Sequence, residues 1–215
     1  MQSFQHHIGT IQNLNLSMNN LSLSGAEYLA STIPNMRSIK YLDLNDCHLS
    51  DRGVAAIVAK LDEHTSLDVL NLSANQIGQS SYFKDSANML CVYLQKQTQL
   101  AELYLDSNML RGPLGYEIID AVSQHSTLNT LGVSNNFLGQ KDKCIEPPAA
   151  LFSRMLIYSR LIEKLDLGYN QIDQECCFSL AHGLRLSKSI VKLSLEANPI
   201  GNQGMRQLMK AKNEN

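Results

Sequence analysis

A motif of the form L-x-x-L-x-L-x-x-N-x-L, in which L stands for Leu, Ile or Val, recurs along the chain. The clearest copy is the segment LAELYLDSNML at residues 100–110. Seven copies begin at Ile11, Ile39, Leu67, Leu100, Leu128, Ile162 and Ile190. Successive starts lie 28, 28, 33, 28, 34 and 28 residues apart. Residues 11–212 are therefore expected to form a tandem array of seven 28-residue units with two insertions.

Each unit is predicted to contain one strand and one helix. Leucine occupies the fourth position of every unit, and an apolar residue two positions later gives the alternation of a short strand. The rest of the unit carries apolar residues four apart, as at Leu90 and Leu94 or at Ile118 and Val122, which is typical of an amphipathic helix. Units of this kind stack their strands in parallel, with strands on one side and helices on the other. The predicted fold is an α/β solenoid.

The ninth position of the units is predicted to have a structural role. Its occupants are Asn19, Cys47, Asn75, Asn108, Asn136, Asn170 and Asn198. The chain must turn as it leaves each strand, and an Asn side chain offers the turning backbone both a donor and an acceptor. Cys47 is expected to fill the same slot as a small packed residue rather than as a reactive thiol.

These columns, together with Gly25 and Gly53 near the predicted helix starts, resemble those of the leucine-rich-repeat family. The similarity is to its ribonuclease-inhibitor-like class of 28-residue intracellular repeats and covers about residues 11–212. The resemblance implies a right-handed horseshoe with parallel strands on the concave face and helices on the convex face. It also implies that the concave face binds another protein.

The two ends of the array are expected to differ. Residues 1–10 are predicted to form a raw N-terminal edge that extra residues or a partner would cover. Lys212 stands where earlier helices have an apolar residue, so the C-terminal end is expected to resemble a cap or a domain edge, followed by a short tail at residues 213–215.

The two insertions fall near residues 78–85 and 139–148, both between a strand and a helix and hence on the same rim. Insertions that share one face often mark a binding edge, although drift in a tolerant surface loop explains them equally well. Because the first insertion is additional to the repeat, deleting residues 79–83 is expected to leave stability nearly unchanged.

Composition and motifs exclude several classes of function. The net charge of −2 suggests neither nucleic acid nor membrane as a partner, and no apolar run is long enough for a membrane span. Residues 1–10 lack the pattern of a signal peptide, and five cysteines, an odd number with two adjacent, favour a reducing, cytoplasmic location. Catalytic, phosphate-binding and metal-binding motifs are missing from the sequence. No enzyme activity, cofactor, metal or small-molecule substrate is therefore predicted.

Two pairs of side chains could nevertheless take part in chemistry. Cys176 and Cys177 are predicted to begin a helix, where the helix N-terminus lowers a thiol pKa, but packing at the position of Gly25 is the favoured interpretation. His64 and His125 fall near helix ends, where a cation is mildly favourable, and lie too far apart to share a metal ion.

The polar side of the strands is the predicted binding surface. Its exposed positions carry eight acids against three bases, so a basic partner is expected. Glu102, Tyr104 and Asp106 alternate along the central strand, and Gly132 beside Tyr104 is expected to leave a shallow slot. An aromatic ring flanked by carboxylates is typical of a site for a Lys or Arg side chain. The predicted protein-binding residues are Tyr41, Asp43, Asp46, Glu102, Tyr104, Asp106, Asp166, Tyr169 and Glu196.

The sequence therefore predicts a non-enzymatic scaffold or adaptor that binds a basic segment of another protein. Two alternatives stay open at this point: a GTPase-activating protein resembling the Ran regulator, and a structural subunit of a cytoskeletal or axonemal assembly. The Ran regulator carries an acidic tail after its repeats, whereas residues 205–215 are not acidic. A fragment of an innate-immune sensor would need a nucleotide-binding domain before the repeats.

Overall fold

The strands form one parallel sheet in the computed structural model, which describes residues 8–61, 66–141 and 147–213. Neighbouring strands pair in chain order, and the fourth-position leucines lie side by side in register, as Leu70 does with Leu103 and Leu103 with Leu131. The strands are β1 (Asn13–Asn15), β2 (Tyr41–Asp43), β3 (Val69–Asn71), β4 (Glu102–Tyr104), β5 (Thr130–Gly132), β6 (Lys164–Asp166) and β7 (Lys192–Ser194).

A helix follows every one of these strands. The helices are α1 (Ser22–Thr32), continued by a 3-10 turn (Ile33–Asn35), α2 (Ser50–Val58), α3 (Phe83–Lys96), α4 (Gly112–Ser123), α5 (Pro148–Tyr158), α6 (Gln174–Leu186) and α7 (Gly201–Asn213). Parallel strands lie about 4.8 Å apart, whereas packed helices need about 8–10 Å, so the array curves with the sheet on its inner side. We call that strand side the concave face. Within the described residues, no helix is long and apolar enough to cross a membrane.

The core lies between the sheet and the helices. Leu70 and Leu103 at the fourth position, and Leu72 and Leu105 at the sixth, have no exposed surface, and the fully buried Leu90 of α3 belongs to the same core. Burying one such side chain stabilises the fold by about 1.5–3 kcal/mol relative to leaving it in water. The predicted α/β fold, with parallel strands on one side and helices on the other, is confirmed.

The chain turns sharply at the eighth position of every unit. All seven residues at this position have φ between 51° and 60°, in the left-handed region: Met18, Asp46, Ala74, Ser107, Asn135, Tyr169 and Ala197. None of them is glycine, although side chains other than Asn and Asp adopt this conformation at a cost of about 1–2 kcal/mol. The turn needs external support, which the ninth-position side chains give, as described below.

The first insertion is held by a buried carboxylate. Asp51 of α2 has no exposed surface. Its oxygens accept hydrogen bonds from the backbone N–H groups of Gly78 (2.8 Å) and Ser80 (3.0 Å). They also accept from the hydroxyl groups of Ser80 (2.6 Å) and Ser86 (2.8 Å). A carboxylate with four donors in an apolar surrounding binds the insertion firmly to the preceding unit.

These contacts contradict the expectation that residues 79–83 are dispensable. Deleting them removes Ser80 from the Asp51 carboxylate and Phe83, which is buried, from the core. A spacing argument cannot detect this, because it counts insertion residues without knowing which side chains face the array. Residues 142–146 of the second insertion, and His64, lie outside the described residues.

The C-terminal end has an open apolar side, which fits the expected domain edge better than a cap. Leu193 and Leu195 of the last unit are only half-buried, and Val191 is 82% exposed. Together with residues of α7 such as Met209 they line an apolar groove of about 580 Å³. One charged residue near a helix end cannot cover the open side of a strand, which takes a neighbouring unit or a capping segment. At the other end Leu14 of β1 is also half-buried.

Candidate functional site

Side chains at the ninth position bond the turns of adjacent units to each other. Asn108 Oδ1 accepts the backbone N–H groups of Asn75 (3.0 Å) and Ile77 (2.9 Å) in the preceding unit. Its Nδ2 donates to the carbonyl oxygens of Leu72 (3.1 Å) and Leu105 (3.0 Å). Bonds of the same kind to the turn of the preceding unit recur at Asn75, Asn136, Asn170 and Asn198.

The first two members of the column bond differently. Cys47 is fully buried, and its thiol donates to the Leu16 carbonyl oxygen over 3.0 Å. Burial is the main reason that the pKa of this thiol is raised, which keeps it protonated and unreactive. Asn19 is exposed, and its Nδ2 donates to the carbonyl oxygens of Leu16 and Ser17.

The centre of the concave face is occupied by Tyr104. This residue lies on β4, with Asn71 of β3 on one side and Gly132 of β5 on the other. Its hydroxyl donates to Glu102 Oε2 over 2.7 Å, so the two side chains share one face of the strand. Burial, followed by this hydrogen bond, raises the pKa of the Tyr104 hydroxyl and keeps it a neutral donor. The ring is half-buried and remains accessible to a ligand.

Asp106 bridges neighbouring units. Its Oδ1 accepts from the backbone N–H (2.7 Å) and the hydroxyl (2.9 Å) of Ser134, and its Oδ2 lies 3.4 Å from the Ser73 hydroxyl. Burial raises the pKa of this carboxyl, while the hydrogen bonds from Ser134 and Ser73 oppose the rise. Asp106 therefore holds β4 and β5 together, and only part of its hydrogen-bonding capacity faces a partner.

The sequence contains a signal for this bridge that simple column matching misses. In four units, an Asn or Asp at the fifth position accepts the backbone N–H two residues later, as Asp43 does from Asn45 and Asp166 from Gly168. The fourth and fifth units have Tyr104 and Gly132 at that position instead. Ser134 thus lacks an acceptor in its own unit and bonds to Asp106 of the preceding one.

Gly132 lies beneath neighbouring side chains rather than beside an empty slot. A Cβ at this residue would come within 2.5 Å of Asp106 Oδ2 and 2.8 Å of Tyr104 Cδ1. The absence of a side chain therefore makes room for the ring and the carboxylate, which lean across β5. The gap expected between Tyr104 and Gly132 is filled by these two groups.

An open hollow does lie next to them. We call it the concave depression; it has a volume of about 410 Å³ and extends over β4 to β7. Its lining residues include Tyr104, Asp106, Thr130, Gly132, Lys164, Asp166, Lys192, Ser194 and Glu196. Tyr104 forms its aromatic wall, and charges of both signs surround the rest.

The structure brings together about half of the predicted binding residues. Tyr104, Asp106, Asp166 and Glu196 line the concave depression, and Glu102 joins them through its hydrogen bond to Tyr104.

The other four predicted residues lie elsewhere. Tyr41 donates to Asp43 over 3.0 Å, two strands away from Tyr104, and Asp43 is only 8% exposed. Burial, followed by the hydrogen bond to Asp43, raises the pKa of Tyr41. Asp46 and Tyr169 occupy eighth-position turns and do not line the depression. Tyr41 and Asp43 thus form an internally bonded pair outside the lining of the depression, and the charge of Glu102 also raises the pKa of Tyr41.

The thiols at the start of α6 are packed rather than activated. Cys176 and Cys177 have no exposed surface, and burial raises their pKa to about 12 and about 11. The helix N-terminus is capped by Asp173, whose carboxylate accepts the Cys176 N–H over 3.0 Å. The favoured interpretation of packing agrees with this burial, and a lowered thiol pKa does not. Among the described residues, no group of three or more His, Cys, Asp or Glu side chains converges as a metal site.

Comparison with known proteins agrees with this architecture. The model of the family "Leucine Rich repeat" matches residues 10–30, 35–58 and 158–181. Mouse ribonuclease inhibitor is 24% identical over 97% of this chain and 50% of its own length. The chain is a leucine-rich-repeat protein. It resembles the ribonuclease-inhibitor-like class, and leucine-rich repeats generally present a curved surface for binding other proteins.

Two further proteins are similar to this leucine-rich-repeat protein. Mouse "NACHT, LRR and PYD domains-containing protein 5" is 25% identical over 94% of the chain and 17% of its own length. The tropomodulin C-terminal domain of Caenorhabditis elegans has the same fold, with a TM-score of 0.56 at 13% identity over 75% of this chain and 92% of that domain. The chain spans half or less of the length of these two curated relatives.

Proposed function

We propose that this leucine-rich-repeat protein is a non-enzymatic interaction module that binds an extended segment of another protein across its concave face. The observation that carries the proposal is the position of Tyr104, an accessible ring on the central strand, at the wall of the concave depression. Interface hot spots are enriched in tyrosine and lie near the centre of the contact, where surrounding residues exclude water.

The charge around Tyr104 supports a basic side chain as its ligand. Glu102 uses one carboxylate oxygen for the Tyr104 hydroxyl, and the other is not bonded to a described residue. A Lys or Arg side chain on the ring therefore gains a cation–π contact and a charge-assisted hydrogen bond from neighbouring groups. Asp43 and Asp106 contribute less, because their oxygens are engaged within the chain.

The cytoplasmic location is part of this proposal. The described cysteines, Cys47, Cys91, Cys176 and Cys177, are free thiols, as is usual for proteins in reducing compartments.

The GTPase-activating and cytoskeletal alternatives have no observation in their favour beyond the shared fold. Leucine-rich repeats of one architecture serve many different partners, so fold similarity does not choose among them. A GTP-hydrolysis assay with a panel of small GTPases separates the first alternative from simple binding, since clear stimulation would assign a catalytic role.

The proposal is tested by truncating the tyrosine at the centre of the face. Partners are captured from a cell extract on the parent protein, identified by mass spectrometry, and the most strongly retained one is purified. We expect Tyr104→Ala to weaken its binding by about 2 kcal/mol, roughly 30-fold, in calorimetric titration. Tyr28→Ala is the matched control, because Tyr28 lies on α1 and is 75% exposed on the helix side.

Thermal melting of each variant shows whether the fold is retained, and Tyr104→Phe separates the ring from its hydroxyl. Raising the salt concentration should slow association more than it speeds dissociation. An unchanged affinity of Tyr104→Ala for the purified partner would place the site elsewhere, first on the rim formed by residues 78–85.

A further inference from the structure

The charge of the concave face changes sign along one row of side chains. We call this row the third-position row; its last members are Glu102 on β4, Thr130 on β5, Lys164 on β6 and Lys192 on β7. Each is the register partner of the next across adjacent strands. From β4 onward the row therefore starts with an acid, Glu102, and ends, beyond one uncharged residue, with two bases.

The two lysines are register partners of each other on adjacent strands. Neither forms an ion pair with an anion of the described chain. Lys164 and Lys192 are both exposed, and like charges directly opposite on neighbouring strands are destabilising. No described carboxylate oxygen lies within 4.0 Å of either ammonium group.

Three carboxylates line the same depression as this lysine pair. Asp166 uses one oxygen to accept the Gly168 N–H over 2.9 Å, and Glu196 lies four residues beyond Lys192 in the chain, past the end of β7. Asp106 is bonded to Ser134. An anionic group above the lysine pair would relieve their repulsion in a way that these carboxylates do not.

We propose that the segment bound by the concave face carries both charges: a basic side chain at Glu102 and Tyr104, and a carboxylate side chain at Lys164 and Lys192. This inference rests on the proposed function, and it replaces a uniformly basic partner with a bipolar one. β6 and β7 lie about 10 Å and about 14 Å from β4, and an extended chain advances about 3.3 Å per residue. The acid therefore follows or precedes the base by about three or four residues.

A bipolar site has a consequence that a uniformly acidic one lacks. The segment has only one orientation in which both charges meet their opposites, because reversing it places the acid on Glu102 and the base on the lysine pair. Like-charge contacts of this kind exclude wrong partners and wrong registers more strongly than they strengthen the right one.

Selection from a random peptide library tests the inference directly. The library displays linear peptides of about twelve residues, roughly 40 Å when extended, and is enriched on the immobilised full chain. We expect enriched peptides to share a Lys or Arg and an Asp or Glu at a spacing of about three or four. A synthetic peptide of the enriched sequence should then bind at least about tenfold more weakly when its acid is replaced by Lys.

Charge reversal on the protein supplies the matched measurement. The double substitution Lys164→Glu with Lys192→Glu should weaken binding of the enriched peptide by a similar factor. It should also restore binding of the peptide that carries Lys in place of its acid. Lys188→Glu is the control, because Lys188 is exposed but lies between α6 and β7, outside the depression. Such restoration identifies the contact, since a general loss of folding cannot rescue a second peptide.

The outcomes separate this inference from the proposed function. Enriched peptides that need Tyr104 but contain only basic residues, and bind more tightly after the double reversal, would overturn the bipolar inference and leave the proposed function standing. Failure to enrich any peptide whose binding depends on Tyr104 would count against both.

Discussion

Asn108 is the clearest single residue on which the array depends. Replacing it with Ala leaves the N–H groups of Asn75 and Ile77 buried without an acceptor, in addition to losing the bonds from its own amide. We expect Asn108→Ala to lower the free energy of unfolding by about 3 kcal/mol in urea titration, since each unsatisfied buried group costs about 1–3 kcal/mol.

Asn19 is the control for this measurement, because it has the same place in the column but is exposed at the first unit. Asn19→Ala should cost less than about 1 kcal/mol, as most surface substitutions do. Equal losses at the two positions would show that the column stabilises through local turn bonds and not through contacts between units.

His125, just after the end of α4, is expected to make the folding stability depend on pH. Its Nδ1 accepts the N–H groups of Thr127 (3.3 Å) and Leu128 (3.1 Å), so protonating that nitrogen breaks both bonds. Burial lowers the pKa of His125. The unfolded chain, with an ordinary His pKa of about 6.5, therefore binds a proton more readily than the folded one, and stability falls as the pH drops below about 6.5.

We expect the melting temperature of the parent protein to decrease between pH 7.5 and pH 5.5 by more than that of His125→Asn, whose amide oxygen can still accept a backbone N–H. His182→Asn, at an exposed position of α6, should retain the full pH dependence. The same pH dependence in His125→Asn as in the parent would assign the effect to other groups.

At the scale of single residues, the sequence predicted which side of a strand a residue faces better than which hydrogen bonds its side chain makes. Glu102 and Tyr104 lie on one face of β4 as expected, but Asp106 lies two residues past the end of this strand, where it bonds to Ser134, and the gap beside Gly132 is filled. Strand alternation fixes which side a residue faces. It does not show which neighbouring unit supplies its hydrogen bonds, because that depends on a register between segments 28 residues apart.

The element that departs most from its expected behaviour is the first insertion. Spacing alone marks residues 78–85 as extra, yet Asp51 holds this segment through four hydrogen bonds. Removing the carboxylate leaves four donors without their acceptor, so Asp51→Ala should destabilise the protein by about 3 kcal/mol or more. It should also speed cleavage in the insertion during limited proteolysis, since loops that lose their anchors become protease-sensitive.

Asp85→Ala provides the comparison, because Asp85 is an exposed acid in the first turn of α3 in the same region. It should change neither the melting temperature nor the cleavage pattern appreciably. Unchanged proteolysis of Asp51→Ala would mean that the insertion is held chiefly by the burial of Phe83.

For the whole molecule, the architecture could be predicted from the sequence because the same motif occurs in seven copies. A departure at one position, such as Cys47 in the asparagine column, does not hide the pattern, because the other six copies keep it. The end of the array has no such redundancy: Leu193 is half-buried and Val191 is exposed, which fits the expected domain edge better than a cap. The proposed binding surface is likewise a single feature of the centre of the array, on which repetition gives no information.

Amide hydrogen exchange with and without the captured partner tests the central claim most directly, since it reports every part of the chain at once. We predict slower exchange on partner binding in the strand-side segments 102–107, 130–135, 164–169 and 192–197, and little change in the helices α1 to α7. Tyr104→Ala should abolish this protection at the same partner concentration. Protection confined to the helices or to residues 78–85, with the concave strands unchanged, would contradict the assignment of the concave face as the binding surface.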